Sequence, residues 1–180
     1  MVSLADEPRV DPNLETSDGA QAVRRGAGKR LSIVPFRPED QRGAKSLILA
    51  SMEEHWGVLD ESKNPDLNDI AASYADGVFL IAWQQGEMVG TGAFRPVSDK
   101  TVEIVRMSVK KEKRRQGIGS EILRALCRRA FQRGFTRAIL ETTATWEEAV
   151  AFYQAFGFEI THRTGGNLYF AMDLQRWAAD

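Results

Sequence analysis

Between Glu103 and Ser120 the chain reads EIVRMSVKKEKRRQGIGS. A strand pattern gives way to a basic loop, then to two glycines, then to a helix pattern. The first N–H groups of a helix lack intrahelical partners and sit at the positive end of its dipole, so such a junction is a site for phosphate. Gly117 and Gly119 carry no Cβ, so a pyrophosphate can approach the main chain closely. Arg114 and Arg115 would place cations beside it. Two well-known phosphate signatures are excluded by residue type. The Walker pattern needs Gly-Lys-Ser/Thr, and the dinucleotide fingerprint needs a third glycine where Ile122 stands. What remains is Arg-x-x-Gly-x-Gly: Arg114, Gly117 and Gly119. By itself, the run Lys110–Arg115 also fits a solvated loop or a nuclear-import-like patch. The glycines and helix that follow it favour phosphate.

The elements around this junction follow from periodicity and punctuation. Arg30–Phe36 alternates and predicts a first strand. Pro38 opens a helix reaching about Glu54, with Leu47 and Ile48 at its apolar centre. Gly57–Asn64 is turn-rich, and Pro65 or Asp66 opens a second helix with Leu67, Ile70, Ala71 and Tyr74 at helical spacing. Val78–Trp83 and Met88–Phe94 form a hairpin about Gln84–Glu87. Thr101–Val109 is a strand. Gly117–Arg133 is a helix whose Ile118, Ile122, Leu126 and Ala130 recur every four positions. Thr136–Thr142 is a strand, Trp146–Phe156 a helix ended by Gly157, and Phe158–Arg163 and Asn167–Leu174 two last strands about Gly165-Gly166. The order βααβββαβαββ implies a mixed sheet with packed helices.

Composition narrows the function classes. The chain has 180 residues, 43% hydrophobic and 27% charged, ordinary for one soluble globular domain. Lys+Arg number 24 and Asp+Glu 25, a net charge of −1 that argues against nucleic-acid binding by bulk charge. A single cysteine excludes an internal disulfide framework, and with two histidines no metal site is expected. Cys127, between Leu126 and Arg128 in a helix, reads as a buried inert thiol. No stretch approaches the roughly 20 apolar residues that span a bilayer, so no membrane partner is expected. The beginning of the sequence lacks the apolar core of a secretory signal, which makes a cytoplasmic setting the default. Residues 1–29, broken by Pro8, Pro12, Gly19, Gly26 and Gly28, read as a disordered tail before one domain over 30–180.

Arg114, Gly117 and Gly119, preceded by Met107-Ser108-Val109 at the end of a strand, resemble the acyl-CoA-binding motif of the GCN5-related N-acetyltransferase family. A second landmark, AVAFYQAFGF from Ala149 to Phe158, supports the resemblance, which spans about residues 31–174 including strand order. It implies the acyl-CoA N-acyltransferase fold: an α/β (α+β mixed) structure whose mostly antiparallel sheet of about seven strands, with four helices, splays between strands 4 and 5. Acetyl-CoA would be the cosubstrate. Met107, Ser108 and Val109 would pair with the pantetheine arm like an added strand; in the family the strand bulges here, and the Met107 N–H would polarise the thioester carbonyl. Arg115, Gln116, Gly117, Ile118, Gly119 and Ser120 would wrap the pyrophosphate. The family often has Asn where Trp146 stands, so one contact to the coenzyme arm is lost or replaced by packing.

The resemblance also implies a direct attack of an amine on the thioester. An alkylammonium has a pKa of about 10, so a base is useful, and so is an acid for the leaving thiolate. Glu103 is the candidate base: histone-type members place their catalytic glutamate at this spacing before the arginine. By alternation it shares a face with Val105, Met107 and Val109, and apolar neighbours would raise its pKa. It is equally readable as a solvent-facing strand residue. Tyr153, at the edge of the stripe formed by Ala149, Phe152 and Phe156, is the candidate acid, or else a core-edge aromatic. His55 and Glu141 are candidate acceptor contacts. The expected function is N-acetylation of a primary amine of a small molecule by a monomer or homodimer. A peptide or protein acetyltransferase (lysine or N-terminal) is the alternative, and a non-catalytic acyl-CoA-binding module a third reading.

Overall fold

A computed structural model describes residues 30–179; the expected tail, residues 1–29, lies outside the described residues. Seven strands form one sheet in the order β1-β2-β3-β4-β5-β7-β6. They are β1 (Ser32–Pro35), β2 (Val78–Gln84), β3 (Glu87–Pro96), β4 (Thr101–Val109), β5 (Arg137–Thr143), β6 (Glu159–Thr164) and β7 (Asn167–Asp173). Every neighbouring pair is antiparallel except β4 with β5. That parallel pair needs a crossover, and the helix Ile118–Gln132 supplies it. In chain order the helices are α1 (Gln41–Trp56), α2 (Ile70–Ser73), α3 (Ile118–Gln132), α4 (Glu147–Phe156) and α5 (Leu174–Ala179).

The two faces of the sheet are covered by different helices. The four-residue stripe of α3 is buried as its periodicity requires, packing Ile118, Ile122, Leu126 and Ala130 into a core with Phe94, Leu140 and Phe170. On the other side Ala44 and Ile48 of α1 meet Phe79, Ile81 and Ala93. Each fully buried Leu, Ile or Phe contributes about 1.5–3 kcal/mol, against intrinsic helix propensity differences of about 0.7 kcal/mol per residue or less. Burial of the stripe, more than propensity, therefore fixes where α3 sits. Cys127 is buried in this core, and burial pushes its thiol up to about 12, so it is protonated and inert at neutral pH.

Three expectations change. The second helix breaks in two: Pro65–Leu67 is a 3-10 turn, and α2 has four residues. The Asp69 side chain accepts from the Ala72 N–H at 3.0 Å, which caps a new helix start inside the predicted one. A fifth helix, α5, follows the last strand, because Asp173 accepts from the Gln175 and Arg176 N–H groups at 2.8 and 3.1 Å. The third change is the face of Glu103, and it follows from the bulge that the resemblance implies in β4. Thr91 pairs with Ser108 and Ala93 with Val105, so Gly92 faces two residues, Arg106 and Met107. This is a β-bulge, and Arg106 adopts a positive φ of 55°. The bulge flips the phase of the strand. Val105 packs on the α1 side, while Met107 and Val109 pack on the α3 side, so Glu103 does not share their face. Gly92 has to be glycine here: a Cβ would stand 2.5 Å from Ile122 and 2.7 Å from the Met107 sulfur.

Candidate functional site

The sheet opens at its centre. β4 and β5 pair only over Thr101, Val102 and Glu103 with Arg137, Ala138 and Ile139. Beyond Glu103 the two strands part. A cavity of about 1120 Å³ occupies the gap and reaches both faces of the sheet, since Ile48 and Tyr74 line it on one side and Ile118 and Phe152 on the other. Met107–Val109 and Gly117–Ser120 all line it, as does Glu103 at the fork. Gln116 does not; its side-chain amide donates to the Glu112 carbonyl at 3.3 Å.

At one end of the cavity stands the N-terminus of α3. Its N-cap, Gly117, has a φ of 80°, a conformation that strains any other residue type. No side chain caps this helix, so its first-turn N–H groups are available to a ligand. A Cβ on Gly119 would meet Phe152 at an ordinary 3.5 Å. Packing therefore does not demand glycine at 119, and the missing atom widens the cavity wall. This is the chemistry of a main-chain anion site.

The cations behave differently from expectation. Arg114 and Arg115 both line the cavity, but neither is free of partners; Arg114 is held on two sides. Its terminal nitrogens donate to the two carboxylate oxygens of Glu54 at 3.1 and 2.8 Å, and its Nε donates to the Val109 carbonyl at 3.1 Å. Arg115, strongly exposed, pairs with Glu148 at 2.8 Å. Lys110 and Lys113 pair with Glu87 at 2.6 and 3.9 Å, and Lys111 with Glu54 at 3.2 Å. Every cation of the run has a carboxylate partner. The hydrogen bonds from Arg114, ahead of Lys111, hold the Glu54 carboxyl below the ordinary range.

At the fork, Glu103 is not among apolar neighbours. Arg95, its register partner on β3, donates from Nε to Oε2 at 2.7 Å. No protein donor among the described residues reaches Oε1. Tyr153 lines the cavity from α4, packed against the rings of Phe152, Phe158 and Phe170 at 5.1, 6.0 and 6.0 Å. Burial raises its phenol above the ordinary value, so the hydroxyl keeps its proton at neutral pH. Glu141 lines the cavity on β5 and accepts from the Asn167 side chain at 2.6 Å. His55 does not line it. Instead it stacks on Trp146 at 4.2 Å, and its neighbour Trp56 takes the wall position. The three rings of His55, Trp56 and Trp146 join the end of α1 to the start of α4.

The far end of the cavity holds a cluster that sequence reasoning missed. Arg106, projected by the bulge, donates to both oxygens of Asp66 at 2.9 and 2.5 Å and to Asn64 at 2.9 Å. Tyr74 donates its hydroxyl to Asp66 at 2.7 Å. Burial works against the Asp66 charge, but the bonds from Arg106 and Tyr74 more than offset it and hold the carboxyl below the ordinary range. The one available signal was an arginine flanked by apolar residues in the middle of the strand, IVRM within EIVRMSV. Among the described residues no group of three or more His, Cys, Asp or Glu side chains is placed to hold a metal, and no helix is long and apolar enough to cross a membrane.

Comparisons with known proteins agree with this geometry. The model of the acetyltransferase (GNAT) family matches residues 45–158. N-acetyltransferase family 8 member 3 of mouse is 33% identical over 107 residues, covering 55% of this chain and 47% of that protein. Mouse N-acetyltransferase 8 is 32% identical over 123 residues, covering 64% of this chain and 52% of its own length. The chain thus spans about half the length of the curated relatives it matches. Among solved structures, a GNAT-family acetyltransferase of Staphylococcus aureus Mu50 superposes with a TM-score of 0.75 at 20% identity, covering 81% of this chain and 99% of that one. The PaiA N-acetyltransferase of Thermoplasma acidophilum, solved with coenzyme A, superposes with a TM-score of 0.71 at 20% identity, over 80% and 99% of the two chains.

Proposed function

The chain belongs to the GNAT acetyltransferase family, and from that premise we propose that it transfers an acetyl group from acetyl-CoA to a primary amine of a small molecule. The observation that carries this reading is the three-residue limit of β4–β5 pairing, which opens a cavity from the uncapped end of α3 to the Arg106–Asp66 cluster. Ligand pockets commonly measure about 300–1,000 Å³. A cavity of about 1120 Å³ is large enough for a coenzyme arm and a small acceptor together.

Each part has a task. The first-turn amides of α3, with Gly117 and Gly119, hold the diphosphate. The main chain of Met107–Val109 lies along the pantetheine arm, as a strand would. Glu103, through the oxygen that Arg95 leaves free, takes a proton from the acceptor ammonium directly or through water. The neutral amine then forms its C–N bond with the acetyl carbon as the C–S bond breaks. Tyr153, kept protonated by burial, gives its proton to the departing thiolate. The charged groups at the acceptor end, Arg106–Asp66 and Arg95–Glu103, are compensated pairs. They favour a compact polar acceptor over an apolar one.

The test is release of free CoA thiol from acetyl-CoA with a panel of small amines and lysine or N-terminal peptides, products being identified by mass spectrometry. Turnover of small amines is the expected result. Turnover of peptides alone would replace the acceptor class, and acetyl-CoA binding without turnover of any amine would leave a non-catalytic module.

A further inference from the structure

The basic run Lys110–Arg115 stands directly before the anion site, yet each of its cations faces a carboxylate brought from elsewhere in the chain. Glu54, in the last turn of α1, receives two of them, Lys111 and Arg114. The Arg114 pair is two-pronged at 3.1 and 2.8 Å, and the same guanidinium is fixed to the end of β4 through the Val109 carbonyl at 3.1 Å. A guanidinium held in a fork by a carboxylate has a defined plane and direction, which a single point contact does not give. Three elements therefore meet at Arg114: the end of α1, the end of β4 and the loop that leads into α3. Two residues past Glu54, Trp56 forms part of the cavity wall.

We propose that Glu54 and Arg114 form a strut that sets the loop before α3, with Arg114 acting as a positioning residue and not as a ligand of the diphosphate. Three of the five N–H donors of Arg114 are committed to Glu54 and Val109, and these bonds fix its orientation at the cavity wall. The first-turn amides of α3 have no side-chain cap, so they are open to the anion. Breaking the strut loosens the loop and lowers affinity for the coenzyme, while the reacting atoms at Glu103 and Tyr153 are untouched. The inference rests on the reading above, that acetyl-CoA lies with its diphosphate at this helix end.

The two arrangements predict opposite signs. If Glu54 merely occupied a phosphate-binding arginine, Glu54→Gln would free Arg114 and tighten acetyl-CoA binding. The strut predicts the reverse. Calorimetric titration of acetyl-CoA into the full chain should show Glu54→Gln weakened by about threefold, the size typical of an exposed ion-pair network. Arg114→Met should weaken it similarly, and the double variant should be no worse than either single one, because both remove the same strut. In steady state the KM for acetyl-CoA should rise while kcat holds. Unchanged or tighter binding by Glu54→Gln, with normal wild-type binding, overturns the strut alone. Failure of the wild-type protein to bind acetyl-CoA overturns the site assignment and the strut with it.

Discussion

The two ends of the cavity are built by opposite means. The α3 end uses a continuous stretch, residues 107–120, and presents mainly backbone groups. The far end uses side chains from distant segments: Arg106 meets Asp66 across 40 positions, and Asn64 across 42. A diphosphate looks the same in every molecule of a coenzyme, so fixed main-chain donors suffice to hold it. An acceptor is recognised by its own pattern of charge, which side chains on loops can be varied to match. The first end is thus resistant to change of side chain and intolerant of change in backbone; the second is the reverse.

The largest effect should come from adding charge to the backbone end. Gly117→Glu would put a carboxylate beside the proposed diphosphate position, and two unit charges about 4 Å apart repel by about 4 kcal/mol at an effective dielectric of about 20. Acetyl-CoA affinity should fall about a thousandfold by calorimetry, with a loss of folding stability of only about 1 kcal/mol from the positive φ. Unchanged affinity would erase the distinction between the two ends. Next, Glu103→Gln should lower kcat by about a hundredfold with acetyl-CoA affinity intact, and the loss should be steepest at low pH, where the amine most needs a base. An equal loss at every pH would make Glu103 a structural member of its pair with Arg95. Smallest in activity terms, Asp66→Asn should cost about 2 kcal/mol of stability by leaving Arg106 half-buried and unpaired, again with coenzyme affinity unchanged. The sign with pH follows from the lowered Asp66 carboxyl. Its stabilisation is complete above the unfolded value of about 4 and drains away as pH falls below that through the folded value. Melting curves of the wild type should therefore drop on acidification, and those of Asp66→Asn should drop less.

The backbone end was legible in the sequence for the same reason that it is local. Gly117, Gly119 and the four-residue stripe of α3 are neighbours in the chain, and the helix begins within one residue of its expected start. α4 was equally plain, closed by Gly157 with a φ of 116°. The carboxylates that occupy Arg114 and Arg115 were not legible, because Glu54 and Glu148 lie 60 and 33 positions away. The bulge beside Met107 was implied by the family resemblance, but its effect on the alternation and on Arg106 was not read. Strict alternation assumes an unbroken ladder, and one extra residue opposite Gly92 reverses every side chain after it. The same reversal separates Glu103 from Met107 and presents Arg106 to Asp66.

The narrow junction of β4 with β5 has a mechanical consequence. Strands β1–β4 and β5–β7 form two plates joined in the sheet by three residue pairs, with α3 bridging them from one side. A molecule that lies in the gap and bonds to the edge of either plate becomes a splint. Amide hydrogens of residues 104–109 should then exchange with solvent more slowly once the coenzyme is bound, while those along the β2–β3 hairpin keep the rates they had without it.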